Sequence, residues 1–209
     1  MCSRLQLVLK KEDLEERYDA VTDNPEDLIA GDEINAFVHP ALPIITNSAP
    51  KIISTEYHWG LLPHWAKDRS IQKNTVNAKI ETLHEKPSFR NIIDKRCLIP
   101  ATAFYEWRWL DEKGKSKEKY IVHSTVSEIF SMAGLYSSWT DPVTGAIVKT
   151  FTMVTTEANP TMSYCNNMKK RMPVILKPLD EQAWLDVSVP YMDFSYPNYD
   201  AGVVSFREG

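Results

Sequence analysis

An α+β fold, with a largely antiparallel, curled or barrel-like β-sheet core and short peripheral helices, is what this sequence predicts. Three observations lead there. Short segments rich in β-branched and aromatic residues recur along the 209 residues, helical patterns are few and brief, and strands and helices never alternate in a βαβ rhythm. No repeat, low-complexity tract or linker divides the chain, so residues 1–209 are read as a single domain with an ample core.

The elements follow in order. KEDLEERYDA carries Leu14 and Tyr18 at helical spacing and predicts a short surface helix. Residues 32–50, rich in Pro, Asn and His, read as loop. KIISTEYHW is a strand pattern that ends in a turn at Gly60 and Pro63. FRNIIDKR reads as a short helix and CLIP as a short strand. AFYEWRWL alternates and is aromatic, DEKGKSKE is a polar turn, and KYIVHS pairs back to make a hairpin. EIFSMAGLY and VKTFTMVTT are two further buried strands. PLDEQAWLD is a helix with Pro178 suited to its first turn.

Composition excludes several classes. The net charge of −4 gives no bulk attraction for a polyanion, so a nucleic acid would have to be held by a local basic patch. Cys2, Cys97 and Cys165 are odd in number and lack C-x-x-C spacing, and the five histidines show no metal-ligand spacing. A disulfide framework, a metal site and a cofactor are therefore not expected. No apolar run has membrane-helix length, and Lys10, Lys11 and Glu12 interrupt any signal-peptide core. The expectation is a cytoplasmic, reducing setting with no membrane partner.

The chain opens MCSR, with cysteine directly after the initiator methionine. Removal of Met1 would leave Cys2 with a thiol, ordinary pKa about 8.5, and an α-amine, about 7.7–8.0. This 1,2-aminothiol condenses with an aldehyde to an imine, and the thiol then closes a five-membered thiazolidine. Closure is intramolecular and gains a large effective molarity. The rival chemistry is an N-terminal nucleophile amidase, in which the thiol attacks an amide and the amine is the base. From Met-Cys alone, a buried cysteine placed there by chance is the simplest reading.

MCSR is followed by NAKIET at 77–82, AFYEW at 103–107, TTEAN at 155–159 and KKRMPVIL at 169–176. This ordered set resembles the SRAP family (SOS-response-associated peptidase), whose members shield abasic sites in single-stranded DNA. The resemblance runs from Cys2 to about Trp184. It implies a DNA-repair function in which Cys2, after loss of Met1, forms a covalent thiazolidine with the sugar aldehyde of an abasic site, with autopeptidase activity as the source of the family name. It also implies that Asn77 orients the amine or sugar and that Glu106 is the acid/base. Arg4, Lys79 and Arg171 would hold phosphates, Thr155 would contact the backbone or sugar, and Trp59 and Trp65 would stack on bases.

The sequence departs from the family at one central place. In ANPTMSYCNNMKKRMP, Cys165 and Asn166 stand where the family has an Ile-His pair. Asparagine hydrogen-bonds but does not exchange protons near neutral pH. Ser3 replaces the usual glycine. Two alternatives stay open: an N-terminal-cysteine amidase, and a non-covalent binder of single-stranded or damaged DNA whose chemistry has decayed.

Overall fold

The computed structural model describes residues 2–209. The strands in chain order are β1 (Arg4–Leu7), β2 (Val21–Thr22), β3 (Gly31–Asn35), β4 (Ala41–Thr46), β5 (Ala49–Trp59), β6 (Asn77–Lys79), β7 (Arg96–Ala101), β8 (Ala103–Trp109), β9 (Lys117–Ser124), β10 (Phe130–Thr140), β11 (Ile147–Glu157), β12 (Arg171–Pro173), β13 (Ile175–Leu176) and β14 (Val203–Arg207). The α-helices are short: α1 (Lys11–Tyr18), α2 (Pro160–Cys165) and α3 (Glu181–Leu185).

Strands β5, β4, β7, β10 and β11 pair in sequence, and β5 then returns to pair in parallel with β11 through Thr150↔His58 and Phe151↔Trp59. That last ladder closes a five-stranded barrel and removes its edges. Gly60 turns the chain at the closure: its φ of +113° favours glycine, and a Cβ there would lie 2.7 Å from His39 Nδ1. A second sheet, ordered β14-β9-β8-β1-β3, is antiparallel. The chain passes from barrel to sheet between β7 and β8 at Thr102, whose N–H bonds Gln6 O at 2.9 Å. A buried cluster joins the two layers, with Leu42, Ile44 and Phe151 from the barrel and Leu5, Phe104 and Val122 from the sheet.

The mostly antiparallel, barrel-centred architecture agrees with the sequence reading, as do α1 and the β8–β9 hairpin. Two segments differ. Residues 32–50 are not loop: they hold most of β3, all of β4 and the start of β5. Pro43 misled the reading, but it lies where the β4–β5 register shifts between Leu42 and Ile44, so the strand tolerates its missing N–H. FRNIIDKR is not helix. It forms successive i→i+3 turns, Phe89 to Ile92 and Ile92 to Lys95, that bury Phe89 and Ile92.

Candidate active site

Cys2 sits just before β1, whose pairing with β3 and β8 draws the chain start into the layer between sheet and barrel. It is 1% exposed, and its thiol points at Arg4 O, 3.7 Å away. Burial, reinforced by the Glu106 charge, pushes the thiol well above its ordinary range, so it rests protonated. Asn77 opens β6, which is held in parallel to β11 by the pairing Asn77↔Met153. Its Nδ2 donates to Cys2 O at 2.8 Å, while its Oδ1 is buried with no partner.

Glu106 occupies the middle of β8, opposite Tyr120 of β9. An alternating strand would allow Glu106 to face water, but the side chain is turned inward and only 4% exposed. Burial pushes its carboxyl up to about 7, and the Asn166 amide beside it acts in the opposite direction. Oε1 has no hydrogen-bond partner.

Asn166 caps the C-terminal end of α2. The helix begins at Asn159, whose Oδ1 accepts from Met162 N, followed by Pro160 in the first turn. That Asn-Pro pair is a start signal the sequence reading passed over. Asn166 is buried, with Nδ2 donating to Arg171 O (3.1 Å) and Oδ1 accepting from Lys169 N (3.3 Å).

Cys2, Asn77, Glu106 and Asn166 thus form one cluster, and Arg171 and Thr155 adjoin it. Buried polar atoms nearly always find partners, so the open ones are informative. Among the described residues, Asn77 Oδ1, Glu106 Oε1 and Arg171 Nε are three of the buried side-chain atoms left unpaired.

The other expected residues divide. Arg171 is 8% exposed and forks onto Glu81 (2.9 and 2.8 Å), with Nη2 also donating to Thr155 O at 2.7 Å. Its guanidinium is therefore engaged inside the protein, contrary to the expected free phosphate contact. Thr155 is buried too, donating to Ala78 O. Arg4 pairs with Glu33 at 3.0 Å, with Nη1 buried and unpaired. Lys79 is exposed and makes no ion pair among the described residues.

The tryptophans part company. Trp65 is 46% exposed, its Nε1 donating to Pro87 O. Trp59 corrects the sequence reading: it is 0% exposed, stacks on Phe151 and donates to Val76 O. It is a core residue of the barrel closure, out of reach of any base. The expected loss of Met1 concerns a residue outside those described.

Among the described residues no group of three or more His, Cys, Asp or Glu is placed to hold a metal ion, and no helix is long and apolar enough to cross a membrane.

A closed barrel flanked by a second sheet encloses a cysteine from the chain start and an inward-turned carboxyl group, the makings of a thiol-containing site on a β-rich α+β fold. This chain belongs to the SOS response associated peptidase (SRAP) family, whose model matches residues 1–193. The abasic site processing protein YoqW of Bacillus subtilis is 37% identical over 208 residues, covering 96% of this chain and 88% of its own. The abasic site processing protein HMCES of Gallus gallus is 30% identical over 156 residues, 63% of this chain and 44% of its own. A crystal structure of a protein from Bacteroides thetaiotaomicron superimposes with a TM-score of 0.89 at 33% identity, covering 99% of this chain and 91% of the other. One from Bordetella bronchiseptica, at 23% identity and TM-score 0.78, shares the fold.

Proposed function

We propose that this protein processes abasic sites in DNA, and that it does so by binding single-stranded DNA and crosslinking the site to Cys2 as a thiazolidine. The observation that carries the reading is the buried thiol of Cys2 beside an inward carboxyl group whose proton affinity is close to neutral. The names of the relatives, abasic site processing proteins, supply the substrate class.

In this reading Met1 is first removed, with Cys2 as the nucleophile of an autopeptidase step or by a separate aminopeptidase. The freed amine nitrogen adds to the C1′ aldehyde of the ring-opened sugar, and water leaves to give an imine. Cys2 Sγ then adds to the imine carbon, and the thiol proton ends on the nitrogen. One water is released overall, and a C–N and a C–S bond are made. Glu106 carries the proton from sulfur to nitrogen, a transfer suited to a group that titrates near pH 7. Asn77 fixes the Cys2 carbonyl, and its unpaired Oδ1 accepts a hydrogen bond from the amine or a sugar hydroxyl. Lys79 meets a phosphate and Trp65 stacks on a base.

The test is to incubate Met1-processed protein with a single-stranded oligonucleotide carrying one abasic site and run a denaturing gel. A heat-stable shifted band, lost in Cys2→Ala, is expected. No adduct from protein with a free Cys2 amine would replace this reading with a non-covalent binder, and glutamine hydrolysis without an adduct would favour the amidase.

A further inference from the structure

Each element that delivers a residue to the cluster goes on to present a cation. Lys79 follows Asn77 on β6, Arg108 follows Glu106 on β8, and Lys169 and Lys170 follow Asn166 in the turn after α2. None of these four makes an ion pair among the described residues, in a chain whose net charge is −4. Strand β11 divides them into two groups. Thr155 pairs with Lys79 on one edge and with Pro173 of β12 on the other, so Lys79 and the turn entering β12 stand on opposite sides of β11.

The turn fixes its lysines firmly. Asn166 Oδ1 accepts from Lys169 N at 3.3 Å, Asn166 O from Lys170 N at 2.8 Å, and Lys170 O from Ala158 N at 3.0 Å. Lys170 has a φ of +49°, a conformation that favours glycine, and both lysine side chains are exposed. Arg108 is held as well. Its Nη1 donates to Tyr164 O at 2.7 Å, and its guanidinium lies over the half-exposed Tyr164 ring, 3.9 Å from the centre. That stacking orients a planar fork of N–H donors of the kind that suits phosphate. The Asn167 amide joins β8 to the turn, accepting from Trp109 N at 3.0 Å and donating to Trp109 O at 2.9 Å.

Resting on the crosslinking reading, we propose that Arg108, Lys169 and Lys170 form a second strand-binding ridge, which holds phosphates of single-stranded DNA on the side of the abasic nucleotide away from Lys79. Tyr164 is the positioning residue for Arg108. A strand whose abasic sugar lies at Cys2 leaves the cluster in two directions, one toward β6 and one across the turn between α2 and β12, and each direction meets its own cations. Phosphate contacts carry no sequence information but fix register, so holding the strand on both sides keeps the abasic sugar, rather than a neighbour, at the thiol.

The probes are two single strands of equal length, one with its abasic site near the first nucleotide and the other near the last. Each is also made with a tetrahydrofuran analogue that has no aldehyde and cannot crosslink. Fluorescence anisotropy against salt gives binding of the analogues, and a denaturing gel gives adduct formation by Met1-processed protein. Lys170→Gly is the leading variant, because it relieves the backbone and should fold at least as stably as wild type in urea. Lys170→Gly and Arg108→Ala should each weaken binding of the same one of the two strands about threefold and lower its salt slope by about 0.7, with little effect on the other strand. Lys79→Ala should show the reverse preference. The concentration of the affected strand needed for half-maximal crosslinking should rise by the same factor, with the saturated rate unchanged. Tyr164→Phe should bind like wild type, and Tyr164→Ala like Arg108→Ala. No loss, or equal losses on both strands, in folded Lys170→Gly and Arg108→Ala would overturn the ridge and leave the crosslinking reading intact. One-sided losses with no adduct from the aldehyde strands would overturn the crosslinking reading and leave the ridge standing.

Discussion

The Arg17–Glu181 cluster and the Cys2–Glu106 cluster both take polar side chains out of water, but they are finished differently. Arg17 forks onto Glu181 and donates to Ile129 O, Ser131 donates to Glu181 at 2.7 Å, and Tyr18 bonds Ser131 at 2.8 Å. None of these side chains has a buried atom without a partner. In the Cys2–Glu106 cluster, Asn77 Oδ1 and Glu106 Oε1 have none. A closed network ties α1 to α3 and β10. An open one leaves polar atoms without partners inside the protein, at the expense of stability.

The largest expected effect comes from removing the reacting atom. Cys2→Ala should abolish the heat-stable adduct on a denaturing gel while leaving weak strand binding, and Cys2→Ser should behave alike. A full-yield adduct from either would end the distinction between the clusters.

Breaking the closed cluster should act on stability alone. Arg17→Ala leaves a buried Glu181 without its partner and should destabilise by about 3 kcal/mol or more in urea unfolding. An apolar pair, Arg17→Met with Glu181→Leu, should recover most of the loss, and crosslinking by the folded protein should persist throughout.

Glu106→Gln sharpens the contrast because its two effects have opposite sign. Crosslinking should slow about 10²–10⁴-fold, the usual contribution of general acid–base help. Stability should rise with pH relative to wild type. The folded Glu106 titrates near 7 against an ordinary 4.5, so between those values the native state binds more protons than the unfolded one. Wild-type stability falls as pH rises through that window and levels off above it, by on the order of 3 kcal/mol for a shift of this size. Gln does not titrate, so its advantage should be absent at pH 4 and complete at pH 8. Equal stability differences at both pH values would show that Glu106 is not held in its neutral form.

The smallest effect concerns the rim. Lys79→Ala should weaken binding to intact and abasic strands alike and reduce the salt slope by about 0.7. Arg171→Ala should lower stability instead, because it leaves Glu81 without its partner, and should leave the salt slope unchanged.

Much of this was legible in the sequence. Cys2, Asn77 and Glu106 stood out because each belongs to a short motif with chemical meaning, and MCSR, NAKIET and AFYEW follow in order. The β8–β9 hairpin was legible because its alternation and its turn are local. Residues 32–50 were misread because prolines and asparagines outweigh a strand signal until ladders on both sides are supplied. Asn167 carried no signal, since a polar residue after a helix is ordinary until Trp109 lies opposite it.

The sequence by itself determined the cysteine beside the chain start, the carboxyl group of Glu106 in an aromatic strand, the asparagine at 166 and the predominance of strands, because these depend on residue identity and local pattern. Tertiary structure alone decided that β5 meets β11 and buries Trp59 in the closure, that Arg171 turns inward to Glu81, and that Glu106 faces Cys2 with one oxygen unpaired. Which face of a strand is buried, and which charge finds a partner, is set by residues tens of positions away in the chain, and only their packing fixes the local dielectric and the hydrogen bonds that remain to be made.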